Sequence, residues 1–343
     1  MTLCTSAELA ARSISGGPVD ASKTLPPTSA VEGYFRSLSN WGRWGDDDRR
    51  GALNLITPEV RLAATRSVRS GTAVSLARDI DPRTPDPLHS GIASVHRTTD
   101  VKEVEKNLGR KARWDAYADH IEIAPHGGNA HLDGLAHYSW DDKYYNGFDV
   151  SNTTVDGGAV DLAVHHASEG IITRGVLLDI AGLHGVDELE RGYAITTEDL
   201  LAAEARQHLK VRAGDALLIH TGSAAAIFRD GPAYHTDDRG PLDAVQTGLD
   251  ASALPFLHER DIAVMGADGT HDVQPPQYGD FNFARPIHSV CLVAIGIWLM
   301  DNLDLTELAH QCAAREQWDF LFTANPWRFV GSTSSPLNPV AIL

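Results

Sequence analysis

Between His120 and His137 the chain reads HIEIAPHGGNAHLDGLAH and carries four of its 16 histidines. At the centre stands His131-Leu132-Asp133. Residues i and i+2 of an extended segment point to one face, so this imidazole and carboxylate converge while Leu132 turns the other way, into a core. Gly134 lets the chain turn at once, and His137 can return toward the same pocket. Two imidazoles and a carboxylate suit Zn²⁺, Mn²⁺ or Fe²⁺, and the segment lacks the soft thiolates of a structural zinc site. The chemistry expected is that of a divalent ion that polarises a carbonyl and acidifies water, with an imidazole carrying the proton near neutral pH. The competing reading is a polar loop whose histidines only make hydrogen bonds; His126 and His137 beside the His-x-Asp pair weigh against it.

Other catalytic signatures are missing. The sequence contains no GxxxxGK[ST], no Gly-x-Ser-x-Gly elbow and no HExxH. His-x-Asp with a distant His is also the facial triad of non-haem iron oxygenases. From Ser289 to Asp301, after His288, there is no Arg or Lys to clamp an oxoacid, which counts against that class.

The elements that must position these residues read as one α/β domain. The chain has 343 residues, 43% hydrophobic and 22% charged, the composition of an ordinary globular protein with ample length for a core. Residues 1–30, rich in Ser, Gly, Ala and Pro, read as a flexible arm preceding a domain over 31–343. Thr57-Pro58-Glu59 starts a helix expected to reach about Ser70, closed by Gly71. Thr72 to Ala77 then reads as a strand, and the three prolines of 79–89 impose a loop. Ile171 to Ile180 and Asp215 to His220 are further strands, with a helix opening at Thr196-Thr197-Glu198-Asp199 between them. Ile262 to Ala267 and Cys291 to Leu299 are short apolar runs, and His165-His166 lie in an apolar stretch that suggests structural roles. Short strands and helices alternating without a strict βαβ rhythm predict a mixed, barrel-like sheet flanked by helices.

Charge and cysteines exclude several partners. Twenty-nine basic against 46 acidic residues leave a formal charge of −17 and no basic run, so no nucleic-acid partner is expected. No run of 18 apolar residues predicts a membrane span, and Met1 to Pro27 lacks the form of a secretory signal, so a cytoplasmic location is expected. Cys4, Cys291 and Cys312 are widely spaced and read as free thiols.

At this point the residues resemble the metal-dependent cyclase family, which includes bacterial kynurenine formamidases and isatin hydrolases. Its signature is His-x-Gly-Thr-His-x-Asp-x-Pro-x-His, and residues 127–137 read GGNAHLDGLAH, so that His131, Asp133 and His137 match its last three functional positions. Asn40-Trp41-Gly42-Arg43-Trp44 and Gly51-Ala52-Leu53-Asn54 resemble the family's N-terminal segment; Tyr145-Asn146-Gly147 resembles its post-motif loop. Arg174-Gly175 and Gly214-Asp215 resemble the start of core strands, and Pro286-Ile287-His288, Asp301-Asn302-Leu303 and Ser335-Pro336 its C-terminal third. The likeness covers most of the chain from Asn40, and implies a swivelling β/β/α fold.

The resemblance implies metal ligands at His131, Asp133, His288 and Asp301, proton transfer at His137 with His126 as a second base or substitute ligand, and a substrate pocket reached by Trp41 and Trp44. Asn146 and His220 join them as expected substrate-binding residues, and His271 as a wall residue. Two departures stand out. The family's first His falls on Gly127, with His126 one residue displaced, and its late Glu falls at Met300 or Asp301. Losing the first His implies one metal, Mn²⁺ or Zn²⁺, and an isatin-hydrolase type of site. The expected activity is hydrolysis of an amide, lactam or lactone bond in a small aromatic or heterocyclic substrate; a lyase, isomerase or cyclase using the same ion, or a noncatalytic binding protein, are the alternatives. Family members assemble as homodimers or homotetramers, which the resemblance carries to this chain.

Overall fold

Nine short strands, most of them apolar, join into one mixed sheet. In this computed structural model the described residues are 28–81, 95–99, 106, 109, 118–126, 128–231, 245–274 and 285–343. The sheet strands are β1 (Ala73–Ser75), β2 (His131–Asp133), β3 (Ile171–Asp179), β4 (Ala216–His220), β5 (Val264–Ala267), β6 (Trp298–Asp301), β7 (Asp319–Ala324), β8 (Ser334–Pro336) and β9 (Val340–Ile342), in the spatial order β1-β9-β7-β3-β4-β5-β6-β2-β8. The sheet curls into a half-barrel flanked by helices, a single α/β domain.

The middle of the sheet, β3-β4-β5-β6, is parallel. Every residue of β4, β5 and β6 is buried, so these strands are continuous apolar runs covered on both faces, as parallel strands require. β2 pairs antiparallel with β6, and β8 pairs antiparallel with β2 at the edge. Around the sheet lie α1 (Thr28–Ser37), α2 (Pro58–Ala64), α3 (Thr197–Arg206) and α4 (Thr306–Arg315). The Thr57 hydroxyl caps α2 by accepting the Val60 N–H at 3.3 Å, and Thr196 with Asp199 forms a reciprocal capping box on α3.

Three boundaries differ from expectation. The helix from Pro58 gives way at Thr65–Ser67 to a 3₁₀ turn, well short of Ser70. The apolar run Cys291 to Leu299 is divided: a π-helical segment, Val290–Ile295, ends at Gly296 with φ 79°, and β6 begins at Trp298. α1 starts at Thr28, before the expected domain start; residues 1–27 of the arm and 82–89 of the proline-rich loop lie outside the described residues.

The N-terminal segment grips this π-helical turn. Asn40 donates its backbone N–H to the Ala294 carbonyl at 2.9 Å and its side-chain amide to Ile295 at 3.0 Å. Ala52 N–H reaches the Gly296 carbonyl at 2.8 Å, and the Trp298 indole donates to Arg50 O at 2.9 Å. Gly51 sits against Gly296 so tightly that a Cβ there would lie 2.4 Å from the Gly296 carbonyl oxygen; at φ 55° the backbone also favours glycine. The segment thereby fixes the element that carries His288.

Leu132, fully buried, anchors β2 from the side opposite its neighbours His131 and Asp133. Leu132→Ala is expected to cost about 2–5 kcal/mol of stability by urea denaturation, and to loosen the strand on which both flanking side chains depend.

Candidate metal centre

Strand register builds the cluster. His131 of β2 lies opposite Asp301 of β6, and Asp133 lies opposite Leu299 and Ser334. Direct partners share a face, so His131, Asp133, Asp301 and Ser334 project together while Leu132 and Met300 project to the other side. His288 enters from the short helix Pro286–Ser289, which leads into the π-helical turn, and His271 from the loop after β5.

The distances define two overlapping groups. His131, Asp133 and Asp301, all buried, offer ligand atoms within 4.8 Å of one another, and so do His126, Asp133 and His137. Asp133 belongs to both. Its Oδ1 is 3.1 Å from His126 Nε2 and 3.7 Å from His131 Nε2; its Oδ2 is 3.7 Å from His137 Nε2 and 3.8 Å from His288 Nε2. His288 Nε2 is 3.3 Å from Asp301 Oδ2, and His271 Nε2 is 3.1 Å from Asp301 Oδ1. The inner group is closed off; His126 and His137 are part-exposed, and their rings stack at 4.1 Å.

Electrostatics explains how so many polar groups share one core position. Burial pushes the Asp133 carboxyl up, but His131, His126 and His137 hold it below its ordinary value. Asp301 is buried too, and His288 and His271 keep it ionised. Burial would lower His288, yet Asp301 and Asp272 raise it to about 10. Burial takes His137 down to about 4, so this imidazole is neutral at pH 7. Asp272 accepts the Ile287 N–H at 2.7 Å and faces His288 Nδ1 at 2.5 Å, which turns Nε2 toward the carboxylates. His131 is oriented in the same way by the Asn129 carbonyl, 2.8 Å from its Nδ1.

The donor set fits a divalent cation. Both oxygens of Asp133, Oδ1 of Asp301, and both nitrogens of His271 are buried without a hydrogen-bond partner. Leaving such groups unmatched in a core costs on the order of 1–3 kcal/mol each, more when charged, and an ion among them removes that penalty. Mixed nitrogen and oxygen donors suit Zn²⁺ and Mn²⁺ alike.

Not every expected residue joins the cluster. Gly127, where the family's first His falls, lies outside the described residues, while the adjacent His126 reaches Asp133. The described contacts of four expected substrate-binding residues lie elsewhere. Trp41 donates its indole N–H to the Val293 carbonyl at 2.6 Å, and Trp44 packs under the Arg43 guanidinium. Asn146, at φ 59°, spends its side chain on the 42–48 loop, accepting from Gly42 N–H at 2.7 Å and donating to the carbonyls of Gly45 and Asp46 at 3.0 Å. His220 projects to the face opposite His131, where its Nδ1 meets Asp179 Oδ1 at 2.8 Å. Sequence reasoning missed Asp272, Ser334 and Tyr138, whose ring centroid lies 4.9 Å from His137 and 5.1 Å from His288. For Tyr138 the signal was its place directly after His137; Asp272 and Ser334 come near only through tertiary contacts.

Comparison with known proteins gives the family and the fold. The profile of the Cyclase family matches residues 63–272, more than half of the chain. The chain belongs to the Cyclase family. A crystal structure of a novel cyclase is 30% identical, covers 93% of this chain and 100% of its own, and superposes with a TM-score of 0.77. The Cyclase fold is shared with isatin hydrolase A from Labrenzia aggregata bound to benzyl benzoate, at 21% identity over 81% of this chain and 94% of that one, TM-score 0.51. Isatin hydrolase A from Ralstonia solanacearum shares it at 18% identity over 83% and 97%, TM-score 0.53. No curated protein matches the chain. Of the two positions expected for the late acid, Asp301 faces His131, while Met300 pairs with Leu132 on the other side.

Two expectations follow. His131→Ala and Asp133→Ala should each abolish stoichiometric Mn²⁺ or Zn²⁺ binding by elemental analysis, with far-UV circular dichroism unchanged, and chelation of the wild type should lower its melting temperature. At the other face, burial would lower His220, but the Asp179 hydrogen bond and Asp268 raise it above its ordinary 6.5. A raised folded value makes its stabilisation complete below that ordinary value and lost as pH rises through the folded one. The stability gap between wild type and His220→Gln in urea melts should therefore narrow as the pH rises above the ordinary histidine value.

Proposed function

We propose that this chain is a metal-dependent hydrolase that opens or cleaves an amide, lactam or lactone bond of a small aromatic or heterocyclic substrate, with water as nucleophile and one Mn²⁺ or Zn²⁺ as cofactor. The carrying observation is Asp133: fully buried, unpaired by hydrogen bonds at both oxygens, and faced by four imidazoles. Family membership supports the reading. The same reading places the protein in the cytoplasm as a homodimer or homotetramer with no nucleic-acid or membrane partner; no helix among the described residues is long and apolar enough to cross a membrane.

His131, Asp133 and Asp301 would hold the ion in the inner group, with His288 beside them and Asp272 fixing the His288 ring. A divalent ion there supplies Lewis acidity, polarising a carbonyl and acidifying water. His137 takes up the water's proton and returns it to the departing nitrogen; its neutrality at pH 7 and part-exposed position suit it to both transfers. His126, stacked on His137, keeps that ring in place and faces the shared carboxylate. Tyr138, whose ring lies beside His137 and His288, supplies an aromatic wall to the pocket, with Trp41, Trp44, Asn146 and His220 as the substrate-binding residues expected from the family. No serine or cysteine nucleophile is needed, and no covalent intermediate is expected.

The test is a screen of metal-loaded protein against isatins, N-formyl arylamines, cyclic imides and lactones in ¹⁸O-labelled water. Label in the product supports hydrolysis; turnover without label would make the enzyme a lyase or isomerase, and tight metal retention without turnover a binding protein. His137→Asn should lower kcat by about 10²–10⁴-fold while the metal is retained. Asp133→Asn should lose both.

A further inference from the structure

One imidazole of the centre is left without a role by the hydrogen bonds around it. His271 is 1% exposed, and neither of its ring nitrogens has a hydrogen-bond partner. A neutral imidazole carries one N–H and one lone pair, and buried polar atoms of both kinds are normally matched in a native core. Its Nε2 stands 3.1 Å from Asp301 Oδ1, yet that oxygen too lacks a hydrogen bond. The approach is therefore not that of an N–H aimed at a carboxylate, as in a structural His–Asp pair. His288 shows the contrast. Its Nδ1 faces Asp272 Oδ2 and its Nε2 faces the other Asp301 oxygen at 3.3 Å, so both of its nitrogens are hydrogen-bonded. The backbone also singles out His271. It is the middle residue of a three-residue turn closed by the Asp272 N–H on the Thr270 carbonyl, and its φ of 39° lies in the left-handed region that bulky side chains avoid. The turn is pinned from outside: the His271 carbonyl accepts the Leu249 N–H at 2.6 Å, and a Cβ on Gly248 would lie 2.4 Å from that oxygen. An unfavourable backbone conformation is thus held in place with the ring beside Asp301.

We propose that His271 binds the divalent ion through Nε2, as the fourth protein donor of the inner group beside His131, Asp133 and Asp301; the inference rests on the metal-dependent reading above. Distance is the first argument. Two donors about 2.0–2.2 Å from one ion and at right angles around it stand about 3 Å from each other. The 3.1 Å between His271 Nε2 and Asp301 Oδ1 fits that edge, and a shared cation is what brings a nitrogen lone pair and a carboxylate oxygen together with no proton between them. Charge is the second. Two carboxylates and two neutral imidazoles around a divalent cation leave no net charge in the core, where unbalanced charge is costly. The ligand count is the third. The family's first His falls on Gly127, and His271 returns to the ion an imidazole that this departure removes.

Proton NMR of the full-length protein loaded with Co²⁺ tests this without any substrate. Each imidazole bound to the ion gives one strongly shifted, solvent-exchangeable N–H resonance, so wild type should show at least two, from His131 and His271. His271→Gln should lose one of them. His271→Ala should weaken Zn²⁺ binding, measured by chelator competition, by more than about 100-fold, beyond the 10–100-fold typical of a residue that only orients a ligand. If neither variant folds, the wild-type spectrum decides, and a single shifted resonance there would overturn the assignment. So would a His271→Gln spectrum that keeps every shifted resonance, even with weakened binding, because His271 would then be a positioning residue. In those cases binding that still depends on His131 and Asp133 leaves the metal-dependent reading standing. A wild type that binds no divalent ion would remove that reading and this assignment together, whereas metal-loaded protein that turns over no substrate bears on the proposed reaction alone.

Discussion

The constraint on which the structure depends is the burial of Asp133. An ionised carboxylate taken out of water costs several kcal/mol unless opposite charge or strong donors replace the solvent. Here that replacement comes from four imidazoles on three parts of the chain: His126 ahead of β2, His131 and His137 in and after it, and His288 at the head of a distant helix. Asp301 repeats the problem one strand away, faced by His271 and His288. Two buried acids a strand apart repel each other, and either protons on the histidines or a divalent cation must hold them together.

Much of the remaining architecture serves that arrangement. β2 places His131 and Asp133 on one face because the pleat alternates, and it is held between β6 and β8 so that the face cannot slip by one residue without turning both side chains to the other side. His288 is fixed by a different device. The 40–54 segment is tied to the π-helical turn that follows it through Asn40, Ala52 and the Gly51–Gly296 contact, and Asp272 anchors its backbone and ring. Asn146 in turn holds the 42–48 loop. Trp41 adds a further tie to the turn through its hydrogen bond to the Val293 carbonyl.

The layering of exposure divides labour within the centre. His131, Asp133 and Asp301 are sealed from solvent, where fields are strong and a divalent ion would be held firmly. His126 and His137 sit at the edge, where water and a substrate can approach, and burial is just sufficient to keep His137 unprotonated at neutral pH. A group that both accepts and returns a proton has to be placed at such a boundary.

The local pattern of the sequence determined a good deal. His131-Leu132-Asp133 could be read as two convergent ligands and a core anchor because strand geometry has a period of two whatever surrounds it. The caps of α2 and α3 were legible for the same local reason, as were the buried strands ending at His220 and Ala267. Only the tertiary structure decided what depends on long-range register. Asp301 rather than Met300 faces His131 through the pairing of β6 with β2, which no periodicity in an apolar run reveals. His220, at the end of a strand like a pocket residue, was turned to the far face by the alternation of β4 against β5 and β6 and met Asp179 there. Asp272 and Ser334, separated from the motif by more than a hundred residues, reached the centre through pairing and packing that the sequence does not encode in any local spacing.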